Sequence, residues 1–351
     1  MSVHETVGLP GRTTDIALGH GIREGLAAEL ARRFPSARRM AFVVDERVLE
    51  LWPLEFDLGD VELRLFAAPA GEASKTRAVL AEMKDALLAL RRDEPVVVIG
   101  GGAVLDAAGF AAATVRRGLT WVAVPTTVVG LADASVGGKV AINHVRGKNL
   151  LGTFHPPALV VGDVAYLDTL AVRDRVAGLA ELYKAGVIAD AELLEELRAG
   201  TPDTAERWIL AVARSIRVKA RLVEADERDL GGRRVLNYGH TIGHALERIH
   251  GNERMRHGEA VAIGMGVAAR LGALRGLVDE AFVERQHEDL ERLGLPVDLP
   301  EDLTAAASLD AISLDKKRRP GRAHVFVLPR GEGGVEVVED VLDAEIIDAL
   351  R

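Results

Sequence analysis

The sequence predicts two domains of different class: an α/β Rossmann-like N-terminal domain over residues 1–170, and a mostly α-helical C-terminal domain over residues 171–351. Three observations carry this. A length of 351 residues favours two cores over one. Aromatics make up 4% of a chain that is 48% hydrophobic, so alanine, leucine and valine must supply the packing, which suits helices and parallel strands. Strand-like runs cluster in the first half, and long helical periodicities take over after about residue 170.

Met40 to Val44 reads as a strand ending in Asp45-Glu46, and Val61 to Ala67 as another. Ser74 to Leu90 spaces Val79, Leu80, Met83, Leu87 and Leu88 as a helix, with Ser74 placed to cap it. Pro95 to Ile99 is a buried strand by composition, running into Gly100-Gly101-Gly102 and a helix from Ala103 to Val115. Leu119 to Val124 is the next strand, followed by Pro125-Thr126-Thr127 and another helix start. Strand, turn and helix in repetition define the α/β expectation. Helical patterns then cover Arg173 to Ile188, Thr204 to Ala225, Val235 to Ile249, Glu259 to Leu274 and Asp279 to Leu293. Ala323 to Leu328 and Val335 to Val338 are the late strands, and no internal repeat is present.

A net charge of −9 without a basic block argues against nucleic acid as partner. The absence of cysteine excludes disulfides and thiol catalysis. No apolar run reaches the roughly 18 residues of a membrane span, and Met1 to Thr6 has no charged-then-apolar leader pattern. A cytoplasmic protein with no membrane partner is the expectation.

Gly100-Gly101-Gly102 lies between a buried strand and a helix, where backbone can approach a phosphate closely. The spacing is not Gly-x-Gly-x-x-Gly, so the ordinary dinucleotide fingerprint is missing. Asp106 follows one turn later, placed for a nucleotide hydroxyl or amide. Asp133 to Lys139 resembles a phosphate-binding turn without Walker spacing. Lys139 and Lys148 beside glycines, in an acidic chain, point to a bound anion.

Four of ten histidines fall between Leu236 and Glu259: His240, His244, His250 and His257. His240 and His244 are four apart and share a helix face. His250, next to Gly251, reads as a helix end, and His257 precedes an apolar helix. In a cysteine-free chain this suggests a metal held by imidazole nitrogen and a carboxylate oxygen from elsewhere. Spacing alone does not say which histidines are ligands.

Taken together, these segments resemble the dehydroquinate synthase family of sugar phosphate cyclases. The resemblance runs through Asp45, Gly71 to Thr76, Gly100 to Gly102 with Asp106, Arg117-Gly118, Pro125-Thr126-Thr127, Asp133 to Lys139 and Gly147-Lys148-Asn149. It continues through Gly178 to Glu181 with Lys184, Lys219 with Asp226-Glu227-Arg228, Arg233, Leu236 to Glu247, His257-Gly258-Glu259 and Asp315-Lys316-Lys317. Each motif is weak alone; their order and spacing are specific. The resemblance implies a site in the cleft between two domains, a zinc or cobalt ion on Glu181, His240 and His257, and His244 as a catalytic residue near the substrate phosphate. It implies NAD held by Asp45, Gly71, Glu72, Lys75, Gly100, Gly101, Gly102, Asp106, Thr126, Thr127, Lys139, Lys148, Tyr166 and Thr169. Arg117, Asp133, Lys139, Asn149, Lys184, Lys219, Arg233, Asn237, Lys316 and Lys317 would complete the catalytic set, most of them neutralising phosphate and carboxylate.

The implied substrate is an acidic seven-carbon sugar phosphate. It is oxidised transiently by NAD, loses phosphate, is re-reduced, opens and closes a carbocycle by an intramolecular aldol step. A homodimer is usual in the family. Leu105 stands where the family usually has glycine, Val140 where threonine is common, Asp229 where glutamate is frequent and Tyr183 where isoleucine is usual. Leu105 is expected to narrow the nucleotide site. Related cyclases making aminodehydroquinate or valiolone-type products are the alternative, followed by a metal-dependent polyol dehydrogenase of glycerol dehydrogenase type, which needs no phosphate or carboxylate clamp.

Overall fold

A seven-stranded sheet organises the first part of the chain. The computed structural model describes residues 1–350 apart from 55–56, 301–306, 308, 310–311 and 313–322, with backbone alone at 252–253. β1 (Ser2–Leu9) and β2 (Arg12–Gly19) form an antiparallel hairpin. There follow α1 (Leu26–Arg33), β3 (Arg39–Asp45), α2 (Glu46–Leu51), β4 (Glu62–Ala68), α3 (Arg77–Leu87), β5 (Val96–Gly100), α4 (Gly102–Thr114) and β6 (Trp121–Pro125). A separate antiparallel hairpin, β7 (Lys139–His144) and β8 (Gly147–Phe154), precedes β9 (Leu159–Asp163). The sheet order is β1-β2-β9-β6-β5-β3-β4, with every pairing beyond the first hairpin parallel. β5, β6 and β9 are buried along their whole length, as continuous apolar strands covered on both faces must be.

The later chain supplies α5 (Val172–Ala189), α6 (Ala191–Arg198), α7 (Ala205–Ala225), α8 (His240–Arg254), α9 (His257–Leu274), α10 (Glu280–Arg292), the hairpin β10 (His324–Pro329) and β11 (Val335–Val341), and α11 (Asp343–Ala349). Residues Met1–Ala171 and Asp203–Arg228 form one compact unit; Val172–Pro202 and Asp229–Arg351 form the other. The expected helical domain of 171–351 and the second unit thus differ over Asp203–Arg228. The reason is α7, which packs on β1 and β2 and ties to them through Gly8 N donating to Glu224 at 2.7 Å and Arg217 pairing with Glu5 at 2.6 Å. In the second unit α9 contacts α5, α8, α10, α11 and β10, which is why its sequence is apolar on nearly every side. Among the described residues no helix is long and apolar enough to cross a membrane.

Several local readings change. Thr76, not Ser74, caps α3, its hydroxyl accepting from Val79 N at 3.2 Å; Ser74 is buried in a preceding turn and donates to Gly71 O. The helix expected after Thr127 is one wide turn, Gly130–Ala134. The helix expected from Val235 is a short tight turn, Gly232–Asn237, and α8 begins at His240 after Gly239 takes φ 78°. Leu105 and Val140 both pack in the interior.

Gly109, in the middle of α4, shows how tightly the β7–β8 hairpin sits: a Cβ there would lie 2.6 Å from Val140 Cγ1 and 3.1 Å from Trp121 Cζ2. Mid-helix Gly→Ala ordinarily stabilises by roughly 0.5–1 kcal/mol. Here the overlap should reverse the sign, so Gly109→Ala should lower urea-unfolding stability by about 1–3 kcal/mol. An unchanged or raised midpoint would show that the hairpin does not press on α4.

Candidate functional site

Glu181, His240 and His257 converge in the second unit, with one ligand atom from each lying within 4.8 Å of the others. Glu181 comes from the middle of α5, His240 from the first residue of α8 and His257 from the first residue of α9. Backbone-to-backbone packing brings these helices close. A Cβ on Gly258 would fall 1.7 Å from Ala177 O on α5, and one on Gly264 would fall 1.9 Å from Gly239 O. Only glycine fits such approaches.

The imidazoles are aimed. His240 Nδ1 lies 3.0 Å from Tyr238 O, an acceptor only, so Nδ1 carries the proton and Nε2 turns a lone pair inward, 3.6 Å from Glu181 Oε1. His257 Nδ1 lies 3.4 Å from Glu247 Oε1, and its Nε2 lies 3.3 Å from Glu181 Oε1. Glu181 is buried and neither of its oxygens accepts a well-directed hydrogen bond, although Lys184 Nζ stands 2.5 Å from Oε2. Two imidazole nitrogens and one hydrogen-bond-poor carboxylate are the donor set of a divalent cation site with an open position.

Charge follows geometry. Burial penalises the Glu181 carboxylate, but the Lys184 ammonium and the two imidazoles outweigh it and hold the group well below the usual carboxylate range. Burial, reinforced by Lys184, pushes His240 down to about 3. Burial also opposes charge on His257, yet the carboxylates of Glu181 and Glu247 overcome it and push the imidazole up to about 10. The two carboxylates thus favour the charged form of His257 when no cation shares the site.

On the His240 side of this centre, a cavity of about 240 Å³ is lined by His240, His244, Asn237, Arg234, Arg248 and His324, among others. His240, His244 and Arg248 are four apart on α8 and share its cavity face. Asn237 and the buried Arg233 belong to the turn that leads into α8. Lys316 and Lys317 lie outside the described residues.

The first unit holds the glycine turn. The chain leaves β3 for β4 and returns to β5 on the other side of β3, which makes the carboxyl ends of β3 and β5 the topological switch point of the sheet. Asp45 ends β3 and Gly100 ends β5. Cβ atoms on Gly100, Gly101 and Gly102 would press on Val104 and Asp45, on Thr127, and on Ala134, all at 3.0–3.2 Å. No side chain caps α4, which leaves its first N–H groups to a ligand.

Lys75 is buried and pairs with Asp106 at 2.5 Å and with Asn149 Oδ1; Asn149 N donates to Asn143, whose amide donates to Glu72. Asp106 is raised by burial against the pull of Lys75. Gly71 takes φ 60° just before Glu72. Thr126 N donates to Gly100 O at 3.0 Å, and Lys219 on α7 donates to Asp133 Oδ1 at 2.6 Å. Tyr166 and Thr169 both meet Trp52, by ring edge and by hydrogen bond. Lys139 opens β7, and Lys148 is partly buried on β8. Arg117 sits past the far end of α4, about 20 Å along its axis from Gly101.

Residues 65–177 match the 3-dehydroquinate synthase N-terminal family and residues 178–318 the 3-dehydroquinate synthase C-terminal family. The chain belongs to the 3-dehydroquinate synthase family. A 3-dehydroquinate synthase from a Synechococcus species is 46% identical over 82% of this chain and 80% of its own length. The one from Desulforamulus reducens is 39% identical over 98% of both. The solved structure of 2-epi-5-epi-valiolone synthase from Streptomyces hygroscopicus, with NAD+ and Zn2+ bound, superposes with a TM-score of 0.85 at 30% identity, covering 99% of this chain and 98% of that one.

Within this family frame, sequence reasoning left Glu247, the Tyr238 carbonyl, Gly258, Asn143, Arg234, Arg248 and His324 without a role. Glu247 alone carried a signal: it is seven residues from His240 and three from His244, on the same helix face. The raised His257 value carries a sign. Protonated His257 stabilises the metal-free fold fully below its ordinary value of 6.5, and that contribution fades as pH rises through about 10. In NMR of metal-free protein, His257 should stay charged past pH 8 and His240 neutral between pH 5 and 8. Glu247→Gln should move the His257 midpoint down. Titration of His257 near its ordinary value in both proteins would contradict the Glu181–His257–Glu247 geometry.

Proposed function

We propose that this chain is a 3-dehydroquinate synthase, a carbon–oxygen lyase that converts 3-deoxy-D-arabino-heptulosonate 7-phosphate into 3-dehydroquinate and phosphate. It would use NAD catalytically with one zinc or cobalt ion, as a cytoplasmic homodimer. The observation that carries the reading is the Glu181–His240–His257 cluster, two aimed Nε2 atoms on a buried carboxylate, in a chain of this family. The residues present fit both cofactors. The donor set suits a divalent cation, and the uncapped start of α4, at the switch point of the sheet, suits a nucleotide phosphate. In this reading the α/β unit holds NAD, and the helical unit holds the metal.

The cation, when bound, would polarise adjacent substrate hydroxyls and lower the pKa of the one oxidised. NAD, when bound, would accept a hydride and return it. The protein's own side chains do the rest. Lys184, three residues from Glu181, presents an ammonium to the hydroxyl beside the metal. His244, one helical turn beyond His240, holds a proton at the departing phosphate. Asp133 orients Lys219; Arg233, Asn237, Asn149, Lys139, Lys148, Lys219 and the Lys316-Lys317 pair are the groups that, on the family resemblance, would recognise the substrate's carboxylate and phosphate. Arg117, exposed and distant from the glycine turn, belongs to this set on the family resemblance alone. Asp45, Gly71, Glu72, Lys75, Asp106, Thr126, Thr127, Tyr166 and Thr169 would surround the nucleotide.

Purified protein given the heptulosonate phosphate, NAD and metal should release one phosphate per turnover with no accumulating NADH. Steady NADH production without phosphate would instead indicate a dehydrogenase. Glu181→Ala should lose bound metal and activity together. His244→Ala should keep its metal and lose about 10²–10⁴-fold in kcat; equal metal loss in His240→Ala and His244→Ala would make His244 a ligand. Gly101→Val should raise the NAD requirement steeply, because its side chain would press on Thr127 and shift the start of α4, where the nucleotide phosphate would sit. Unchanged NAD affinity would place the nucleotide elsewhere.

A further inference from the structure

We propose that Gln286 and Asp289, on α10, are positioning residues for the metal centre, acting through the hydroxyls of two buried tyrosines, Tyr238 and Tyr183. The inference rests on the metal assignment above. α10 is a strongly polar helix, yet it buries Gln286 and Asp289, three residues apart and so on one face. Each is spent on a tyrosine next to a metal-site residue.

The first link runs from α9 to His240. Gln286 Nε2 donates to Met265 O at 2.9 Å, and its Oε1 accepts from the Tyr238 hydroxyl at 2.7 Å. The backbone carbonyl of the same Tyr238 accepts from His240 Nδ1 at 3.0 Å, the bond that fixes the His240 tautomer and aims Nε2 at Glu181. Tyr238 is fully buried, and its hydroxyl bonds Gln286 at 2.7 Å while reaching the Met265 carbonyl only at 3.5 Å. The residue whose carbonyl orients a ligand is thus held at both ends.

The second link runs to α5. Asp289 Oδ2 accepts from the Tyr183 hydroxyl at 3.0 Å and from Arg198 Nε at 2.9 Å; Arg198 also pairs with Glu332 at 2.7 Å and Glu195 at 2.6 Å. Tyr183 stands two residues after Glu181 and one before Lys184. Two residues along a helix are about 200° apart, so Tyr183 latches the back of α5 while Glu181 faces the centre.

Packing alone does not call for this arrangement. An apolar side chain could fill the space at Tyr183, and a buried ionic partner carries a desolvation cost that apolar packing avoids. What a hydroxyl–carboxylate or hydroxyl–amide bond adds is direction. It fixes how far α5 is rotated and where the Tyr238 carbonyl points.

The test uses full-length Tyr238→Phe, Gln286→Ala and Tyr183→Phe, the Tyr238→Phe/Gln286→Ala double variant, and wild type. Zinc affinity would be measured by chelator competition, the visible spectrum of the cobalt-loaded proteins recorded, and urea unfolding followed in parallel. Each single variant should bind zinc about tenfold more weakly or worse, with altered cobalt bands. The double variant should be no weaker than Gln286→Ala alone, because both changes break one chain of contacts. Tyr238→Phe and Tyr183→Phe keep their rings and carry the test if Gln286→Ala fails to fold. Wild-type affinity and cobalt spectrum in the folded variants, with losses confined to the urea midpoint, would overturn the inference while leaving the metal assignment intact. A wild-type protein that takes up no stoichiometric zinc or cobalt would overturn the metal assignment and this inference with it.

Discussion

One buried carboxylate organises the helical unit. Glu181 sits in the interior of α5 with no well-directed hydrogen bond to either oxygen, faced by two imidazole nitrogens and an ammonium. Burying such a charge is costly unless it is paired and coordinated. The surrounding structure supplies compensation from three helices, and the same compensation makes a cation site. Remove the carboxylate and His257, whose charged form Glu181 and Glu247 favour, loses one of its two anionic partners.

The close approach of α5, α8 and α9 follows from glycine. Gly258 and Gly264 let α9 press on Ala177 and on Gly239 at distances no side chain allows, and Gly243 gives a looser close approach of α8 to Ala260, at 3.2 Å. His257 therefore starts its helix already beside Glu181, and His240 starts its own after the turn at Gly239. The α/β unit uses glycine to a different end. Gly100, Gly101 and Gly102 let the turn pack on Val104, Asp45, Thr127 and Ala134 beside the switch point between β3 and β5, where the sheet's geometry favours a ligand.

Much of this was legible in the sequence, for reasons that can be stated. β3, β5, β6 and the long helices carry strong periodic or continuous apolar patterns, and their bounds shift by at most three residues, apart from α8, which starts and ends five residues later than expected. β1, β2, β7 and β8 were not read, because each alternates or exposes polar residues and has no continuous apolar run to mark it. α7 reads as one helix among several; only its contacts with the first hairpin assign it to the α/β unit. At the site, periodicity put His240 and His244 on one face but could not name the ligands, and that step came from family resemblance. Glu247, Gln286 and Asp289 read as ordinary polar helix residues, since the partners that give them meaning lie on other helices.

The central claim is the identity of the metal's protein ligands, and zinc K-edge X-ray absorption on stoichiometrically loaded protein tests it most directly. Two imidazoles at about 2.0–2.1 Å with the remaining positions filled by oxygen is the result expected of Glu181, His240 and His257. A third imidazole in the first coordination sphere would bring His244 onto the metal and contradict the division of labour along α8; one imidazole or none would contradict the site itself.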